Sequence, residues 1–151
     1  MSETVRQRMR ELYARYAARD LDGVLAGFAE DAVFISFAPV DVFPFLGRKV
    51  GRLAIAAAFK AIGEDYELLS YVPTFLVADD EQAAGLIAAR FKQRSSGRII
   101  QVTLAHFVRF DDGRISEFRE FMDTFDAVEQ VTGREIEINP DPVPMLTSSR
   151  I

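Results

Sequence analysis

The sequence predicts a single α+β domain in which helices come first and an antiparallel sheet follows. In the first 17 residues, apolar side chains recur three and four positions apart, which is the period of an amphipathic helix. From residue 66 onward the period changes to that of strands, and short turn signals separate the apolar runs. Because connections of hairpin length join antiparallel neighbours, the second half of the chain predicts a meander.

Three helices are predicted before the sheet. Asp20 is expected to cap a short second helix, since its carboxylate can accept hydrogen bonds from the first backbone N–H groups. The third helix follows Gly51 and is expected to stop at Gly63. The apolar face of the first helix comprises Val5, Met9, Leu12, Tyr13, Tyr16 and Ala17.

One strand is predicted early in the chain and four in the second half. Residues 32–38 are β-rich, and Pro39 marks the end of that strand or a sheet edge. Residues 40–47 are apolar for a loop and are expected to cover part of the interior. The four later strands are predicted over residues 66–78, 83–94, 98–110 and 114–125.

Length and composition limit the possible functions. The 151 residues suit one domain that can bury a core, with 49% apolar and 27% charged residues. A net charge of −5 argues against a nucleic-acid partner. The absence of cysteine excludes disulfides, thiolate metal sites and cysteine nucleophiles. No signal peptide or membrane-spanning run is evident, so we expect no membrane partner and a cytoplasmic location.

The chain is expected to divide into one domain over residues 1–132 and a C-terminal arm over residues 133–151. The arm contains Pro140, Pro142 and Pro144, which argue against a helix or a central strand. Either the arm is disordered or it lies extended over a neighbouring surface.

Two ionisable residues stand in apolar strand segments. His106, the only histidine of the chain, lies in the third long strand, and Glu120 lies in the fourth. A small bulge at the Asp112-Gly113 turn would place Glu120 beside His106, with both facing inward. Without the bulge, the register shifts by one residue and Arg119 takes the place of Glu120. An ionisable pair on adjoining strands indicates a lined pocket.

Three motifs in this order resemble the NTF2-like superfamily, especially its SnoaL-like and ketosteroid-isomerase-like branches. They are residues 28–34 (FAEDAVF), Gly51-Arg52 followed by Ile55 and Phe59, and the terminal hairpin over residues 108–123. The resemblance covers about residues 3–130. It implies a cone-shaped fold in which a curved antiparallel sheet wraps around three N-terminal helices, with a cavity at the wide end. It also implies a homodimer formed through the outer sheet face, and a small apolar molecule as ligand.

The resemblance also implies roles for individual residues. His106 stands where steroid isomerases carry an acidic residue that donates a hydrogen bond to an oxyanion. Glu120 matches a carboxylate that acts as acid or base in cyclase and epoxide-hydrolase relatives. Ser36 stands where steroid isomerases have their aspartate base, and a serine hydroxyl is too weak a base for that role. The structural alternatives are a neutral, space-filling His106 bonded to a backbone carbonyl and a salt bridge from Glu120 to Arg90.

Further residues are candidates for the wall of the cavity. Asp41 in the Phe-rich loop could reach back over the cavity mouth. The resemblance also implies a hydrogen-bonding tyrosine near Tyr13 or Tyr16, although either could belong to the core. We expect neither a cofactor nor a metal, because phosphate-loop motifs and metal-ligand spacings are absent. The predicted substrate-binding residues are Tyr13, Tyr16, Phe34, Ser36, Asp41, Phe59, Phe118 and Met122.

Three hypotheses for function remain open at this point. The first is a cofactor-free acid–base enzyme, of the isomerase, cyclase or dehydratase type, that acts on a small hydrophobic carbonyl or hydroxyl compound. The second is a noncatalytic binding module for a small apolar ligand or a partner protein. The third is a structural dimer whose cavity is filled by phenylalanine side chains.

Overall fold

The structure is a computed structural model that describes residues 2–138. Residues 139–151 of the predicted C-terminal arm lie outside the described residues, so the proposed division at residue 132 stays a prediction. The helices are α1 (Ser2–Ala17), α2 (Leu21–Ala26), α3 (Arg52–Asp65) and α4 (Thr124–Thr132). The strands are β1 (Phe28–Ser36), β2 (Gly47–Val50), β3 (Tyr66–Ala78), β4 (Gln82–Gln93), β5 (Ile99–Asp111) and β6 (Arg114–Phe121).

The strands form one six-stranded sheet in the order β2-β1-β6-β5-β4-β3. Strands β3 to β6 pair antiparallel in sequence order, which confirms the predicted meander. The predicted α+β fold with a curved sheet is confirmed, and the sheet is antiparallel apart from one pair, because β1 pairs with β6 in parallel. Turn signals report only on strands that are adjacent in the chain, and β1 is separated from β6 by most of the domain.

Several element boundaries differ from the prediction. Strand β1 begins at Phe28, four residues before the predicted position 32, and the short β2 was not predicted. Gly63 lies inside α3, which ends only when Tyr66 adopts an extended backbone at the start of β3. The last predicted strand ends at Phe121, because the Asp123 side chain accepts a hydrogen bond from the Asp126 N–H and begins α4.

The predicted cap of the second helix is confirmed. The Asp20 carboxylate accepts a hydrogen bond of 3.0 Å from the Gly23 N–H. The motif residues around α3 also have a structural role. The Gly51 N–H donates to the Ala32 carbonyl at 2.7 Å, and Arg52 Nε donates to the Phe28 carbonyl at 3.1 Å. These bonds fix the start of α3 against β1, and the positive φ of 89° at Gly51 favours glycine there.

The core lies between the inner face of the sheet and helices α1 and α3. Strand alternation divides β5 between two faces: Leu104, His106 and Val108 are buried, whereas Thr103 and Phe107 are exposed. Among residues 2–138, no helix is long and apolar enough to cross a membrane.

The hairpin between β5 and β6 fixes the register that the sequence left open. Asp112 and Gly113 form its two-residue turn, and both have positive φ, as a type I′ turn requires. The register then shifts between the Arg109–Glu117 and Phe110–Ile115 pairs, so that Ser116 is the extra residue of a bulge. His106 is therefore paired with Glu120. The predicted bulge exists, and it lies three residues beyond Gly113 rather than in the turn itself.

Candidate active site

An apolar cavity of about 110 Å³ lies between the helices and the inner face of the sheet. Helix α4 lines one side of it through Ala127 and Val131, and the segment between β1 and β2 contributes Phe43 and Phe45. The side chain of Gln130 fastens α4 to β5, because it bonds both the N–H and the carbonyl of Gln101, at 2.7 and 2.8 Å.

Most of the predicted site residues lie on the cavity wall. Ser36 lies directly behind it, next to Glu120, and is 3% exposed. Asp41 is solvent-exposed in the loop and is not among the lining residues, so the structure does not bring it to the cavity. Those that line the cavity are Tyr13, Tyr16, Phe34, Phe59, His106, Phe118, Glu120 and Met122.

A chain of hydrogen bonds runs along the polar part of the wall. The Tyr13 hydroxyl lies 3.0 Å from His106 Nδ1, and His106 Nε2 lies 3.0 Å from Glu120 Oε2. The Ser36 hydroxyl donates to Glu120 Oε1 at 3.1 Å. Four side chains from α1, β5, β6 and β1 therefore form one connected network.

The chemistry of these groups sets the direction of the hydrogen bonds. A carboxylate offers only lone pairs, so an ionised Glu120 accepts from an N–H on His106 Nε2. The lone pair of Nδ1 then accepts from the Tyr13 hydroxyl. Both ring nitrogens of His106 are engaged by protein side chains, and donation to a ligand oxyanion would require one of these bonds to break.

The surroundings of His106 and Glu120 differ from the structural alternatives. His106 is 1% exposed and packs 4.6 Å from the Phe118 ring centroid, but its partners are side chains rather than a backbone carbonyl. Among the described residues, Glu120 pairs with His106 and not with Arg90. The Glu120 side chain retains 13% exposure, and its remaining lone pairs are available to a molecule in the cavity.

The comparisons with known proteins decide the family. A profile of the SnoaL-like domain matches residues 9–118, which is more than half of the chain. The chain belongs to the SnoaL-like domain family. No curated protein matches the sequence significantly.

Solved structures with the NTF2-like fold resemble this SnoaL-like protein over most of its length. An NTF2-like protein of unknown function from Burkholderia pseudomallei has 26% identity and a TM-score of 0.78, covering 87% of this chain and 99% of the other. A Rhodopseudomonas palustris protein, provisionally named an isomerase, has 25% identity and a TM-score of 0.76, covering 87% and 97%. An LEH-like epoxide hydrolase from M. tuberculosis shares 15% identity, covers 87% and 92%, and has a TM-score of 0.70, which shows the common fold alone.

Four tyrosines line the cavity of this SnoaL-like protein, and three of them pack together. Tyr71, which the sequence did not single out, joins Tyr13 and Tyr16 on the wall. Burial raises the pKa of Tyr13 and of Tyr16, and the negative charge of Glu120 raises both further. Burial also raises the pKa of Tyr71, with contributions from Tyr16, Glu120 and Tyr13. These hydroxyls therefore remain protonated hydrogen-bond donors across the neutral and moderately alkaline range.

An alkaline titration is expected to show this directly. The chain has four tyrosines, and burial also raises the pKa of the fourth, Tyr66. Unfolded tyrosine ionises near pH 10, whereas the folded protein keeps the neutral form above that value, so stability is fully present below about pH 10 and falls as pH rises further. Tyrosinate absorbance from Tyr13, Tyr16 and Tyr71 should appear only together with unfolding, whereas the half-buried Tyr66 can ionise in the native protein. More than one tyrosinate per molecule in a protein whose circular dichroism is still native would contradict this expectation.

Gly85 is a further residue next to the site that the sequence analysis missed. It pairs with His106 across β4 and β5, and a Cβ at this position would overlap the Tyr13 hydroxyl. A lone glycine within a strand indicates a close approach of another group, and this signal was present in the sequence.

Within residues 2–138, no group of three or more His, Asp or Glu side chains is close enough together to hold a metal ion. The expectation that the protein needs neither metal nor cofactor stays a prediction.

Proposed function

We propose that this SnoaL-like protein is a cofactor-free acid–base catalyst that acts on a small hydrophobic carbonyl or hydroxyl compound. One observation carries the proposal: Glu120 is the only carboxylate on the cavity wall among residues 2–138, and two side chains hold it in place. A positioned carboxylate in an apolar cavity is suited to move a proton between a substrate atom and itself. Isomerisation, cyclisation and dehydration all require such a step.

The network assigns the other residues supporting roles. Ser36 and His106 each occupy one oxygen of Glu120, which fixes the plane of the carboxylate and leaves its remaining lone pairs for substrate. Tyr13 in turn orients the imidazole. Orientation of this kind contributes to catalysis because the reacting groups need no reorganisation at the moment of reaction.

The size of the cavity limits the substrate. An apolar cavity of about 150 Å³ is known to hold one benzene molecule. The cavity of about 110 Å³ therefore suits a single small ring or a short chain. The provisional isomerase name of the R. palustris protein, at 25% identity, agrees with proton transfer as the reaction class.

The alternative is a noncatalytic module that binds a small apolar ligand. The observation that favours it is the mutual satisfaction of His106, Glu120, Ser36 and Tyr13, since a fully bonded polar network also serves to make a core rigid. The catalyst and the binding module would both bind the small apolar compound, but only the catalyst would transfer a proton to or from it.

The experiment is the exchange of the α-protons of cyclopentanone in D₂O, followed by NMR, with wild-type protein and Glu120→Gln. A catalyst accelerates exchange above the buffer rate, and Glu120→Gln abolishes the acceleration. Exchange at the buffer rate in the presence of bound cyclopentanone would reject catalysis in favour of the binding module.

The partner proposed for the sheet is a second copy of the chain. The outer sheet face exposes large apolar side chains at more than a third of their surface, and an exposed apolar patch of this kind marks an interaction site. A two-fold dimer places the same patch of both copies in contact, which would remove these apolar side chains from water. The residues that define the outer sheet face are Val72, Phe75, Val77, Leu86, Phe107 and Phe121.

The dimer is tested by sedimentation velocity of Phe107→Asp. Phe107 is 53% exposed and contacts Phe121 with ring centroids 5.8 Å apart. Burying a new carboxylate in the interface should weaken association about tenfold or more. Leu53→Asp, at an 88% exposed position on α3, is the matched control and should leave association unchanged. A monomeric wild-type protein would refute the dimer.

A further inference from the structure

The tyrosine hydroxyls on the cavity wall differ in whether another group of the protein forms a hydrogen bond with them. The Tyr13 hydroxyl is engaged by His106, and the Tyr66 side chain has a hydrogen bond to Gln93. Within residues 2–138, neither Tyr16 nor Tyr71 has a hydrogen-bond partner for its hydroxyl. Because tyrosine hydroxyls in apolar surroundings usually have a partner, these two groups are donors that a cavity molecule can use.

The position of Tyr71 is fixed by the fold. It lies on β3 opposite Ala89, which is 2% exposed, so its side chain is on the inner face of the sheet. Its ring packs 4.7 Å from the ring centroid of Tyr16 and 6.0 Å from that of Tyr13. A ring held on two sides presents its hydroxyl in a defined direction at little entropic cost.

The other polar groups on the cavity wall do not duplicate the role of the Tyr71 hydroxyl as a hydrogen-bond donor. His106 has no free ring nitrogen, whereas Glu120 retains lone pairs and offers no proton when it is ionised. The lining residues of the described chain include neither lysine nor arginine. An anionic ligand would therefore meet the charge of Glu120 with no cation to balance it.

We propose that Tyr71 is the residue that binds the ligand oxygen, and that the cavity selects an uncharged small compound with a carbonyl group. This rests on the proposed function of Glu120. The Glu120 carboxylate takes a proton from the carbon next to the carbonyl, so that a C–H bond breaks and an O–H bond forms on Glu120. The released electron pair forms a C=C bond, and the carbonyl electrons move to the oxygen. Tyr71 donates a hydrogen bond to that oxygen. Glu120, whose side chain retains 13% exposure, exchanges its proton with solvent and then protonates the carbon, so that in D₂O the carbon gains deuterium.

The experiment uses cyclopentanone labelled with ¹³C at the carbonyl carbon, and it measures the dissociation constant and the bound ¹³C chemical shift. A hydrogen bond to the carbonyl oxygen moves the ¹³C resonance downfield. In Tyr71→Phe this displacement should disappear and the dissociation constant should rise about 3–10-fold. Tyr66→Phe is the matched control, because it removes a hydroxyl from the same strand and the same cavity, at a position opposite Gln93 rather than beside Tyr16 and Tyr13. Cyclopentanecarboxylate should bind at least about tenfold more weakly than the ketone.

Each outcome decides the proposal. Unchanged shift and affinity in Tyr71→Phe would overturn it, as would failure of the wild-type protein to bind cyclopentanone or a preference for the carboxylate. The α-proton exchange assay separates this result from the proposed function. A bound, hydrogen-bonded ketone without exchange would support Tyr71 and reject catalysis. Exchange that depends on Glu120 but not on Tyr71 would support catalysis and reject the role of Tyr71.

Discussion

Replacing Glu120 by Gln is expected to lower the rate of α-proton exchange in cyclopentanone by about 10²–10⁴-fold, the usual contribution of a positioned acid–base group. The amide has nearly the same shape as the carboxylate, and its oxygen still accepts hydrogen bonds, but it cannot take up a proton at neutral pH. The affinity for cyclopentanone should change by less than about threefold, because the apolar wall and Tyr71 provide the binding contacts. A fall in rate at constant affinity would identify a group that acts in the transition state.

Glu117→Gln is the matched control for this substitution. Glu117 lies on the same strand, β6, but its carboxylate pairs with Arg119 at 2.7 Å and is not on the cavity wall. Its replacement should leave the exchange rate unchanged. Glu120→Asp keeps the carboxylate but shortens the side chain by one methylene. Its α-proton exchange rate should therefore lie between those of the wild-type protein and Glu120→Gln. Full activity of Glu120→Gln would remove Glu120 from the mechanism.

The fold was predictable because its signals are local. The helical period of α1, the cap at Asp20 and the turn at Asp112-Gly113 each act within a few residues, and each was confirmed. The pairing of β1 with β6 was not predictable, since no local signal connects strands that are distant in the chain. Helix α4 was not predicted, and its first two residues were assigned to the last strand, because apolar residues continue past Phe121 while the cap at Asp123 overrides them.

The candidate site was predictable only in part, because the sequence does not determine the register in which the strands pair. His106 and Glu120 were recognisable as ionisable groups in apolar strands, and the bulge at Ser116 that pairs them was one of two open alternatives. Tyr71 was not identified, because β3 shifts register between Leu68 and Ser70 and again between Pro73 and Phe75. Two irregularities in one strand remove the simple alternation from which an inward-facing residue is inferred.

The second large effect is expected at Gly85, which makes room for the hydroxyl of Tyr13. An added Cβ would overlap that hydroxyl and lie 3.2 Å from two carbon atoms of the ring. Tyr13 is 2% exposed and packs against Tyr71 and His106, so it has little freedom to move away. Gly85→Ala should lower the free energy of unfolding by about 1–3 kcal/mol, the usual cost of overpacking a core. Denaturant unfolding measures this change.

Two further variants separate this overlap from a general effect of alanine. Gly63→Ala is the control, because Gly63 lies inside α3 with open space around an added Cβ, and it should stabilise the protein by about 0.5–1 kcal/mol. In a Tyr13→Phe background the hydroxyl is absent, so Gly85→Ala should cost less than in the wild-type protein, with a coupling of about 0.5–3 kcal/mol. Additive effects would show that Gly85 does not act through Tyr13. A measured coupling would instead show that the absence of a side chain at Gly85 makes room for the Tyr13 hydroxyl. That hydroxyl bonds His106, which in turn bonds Glu120.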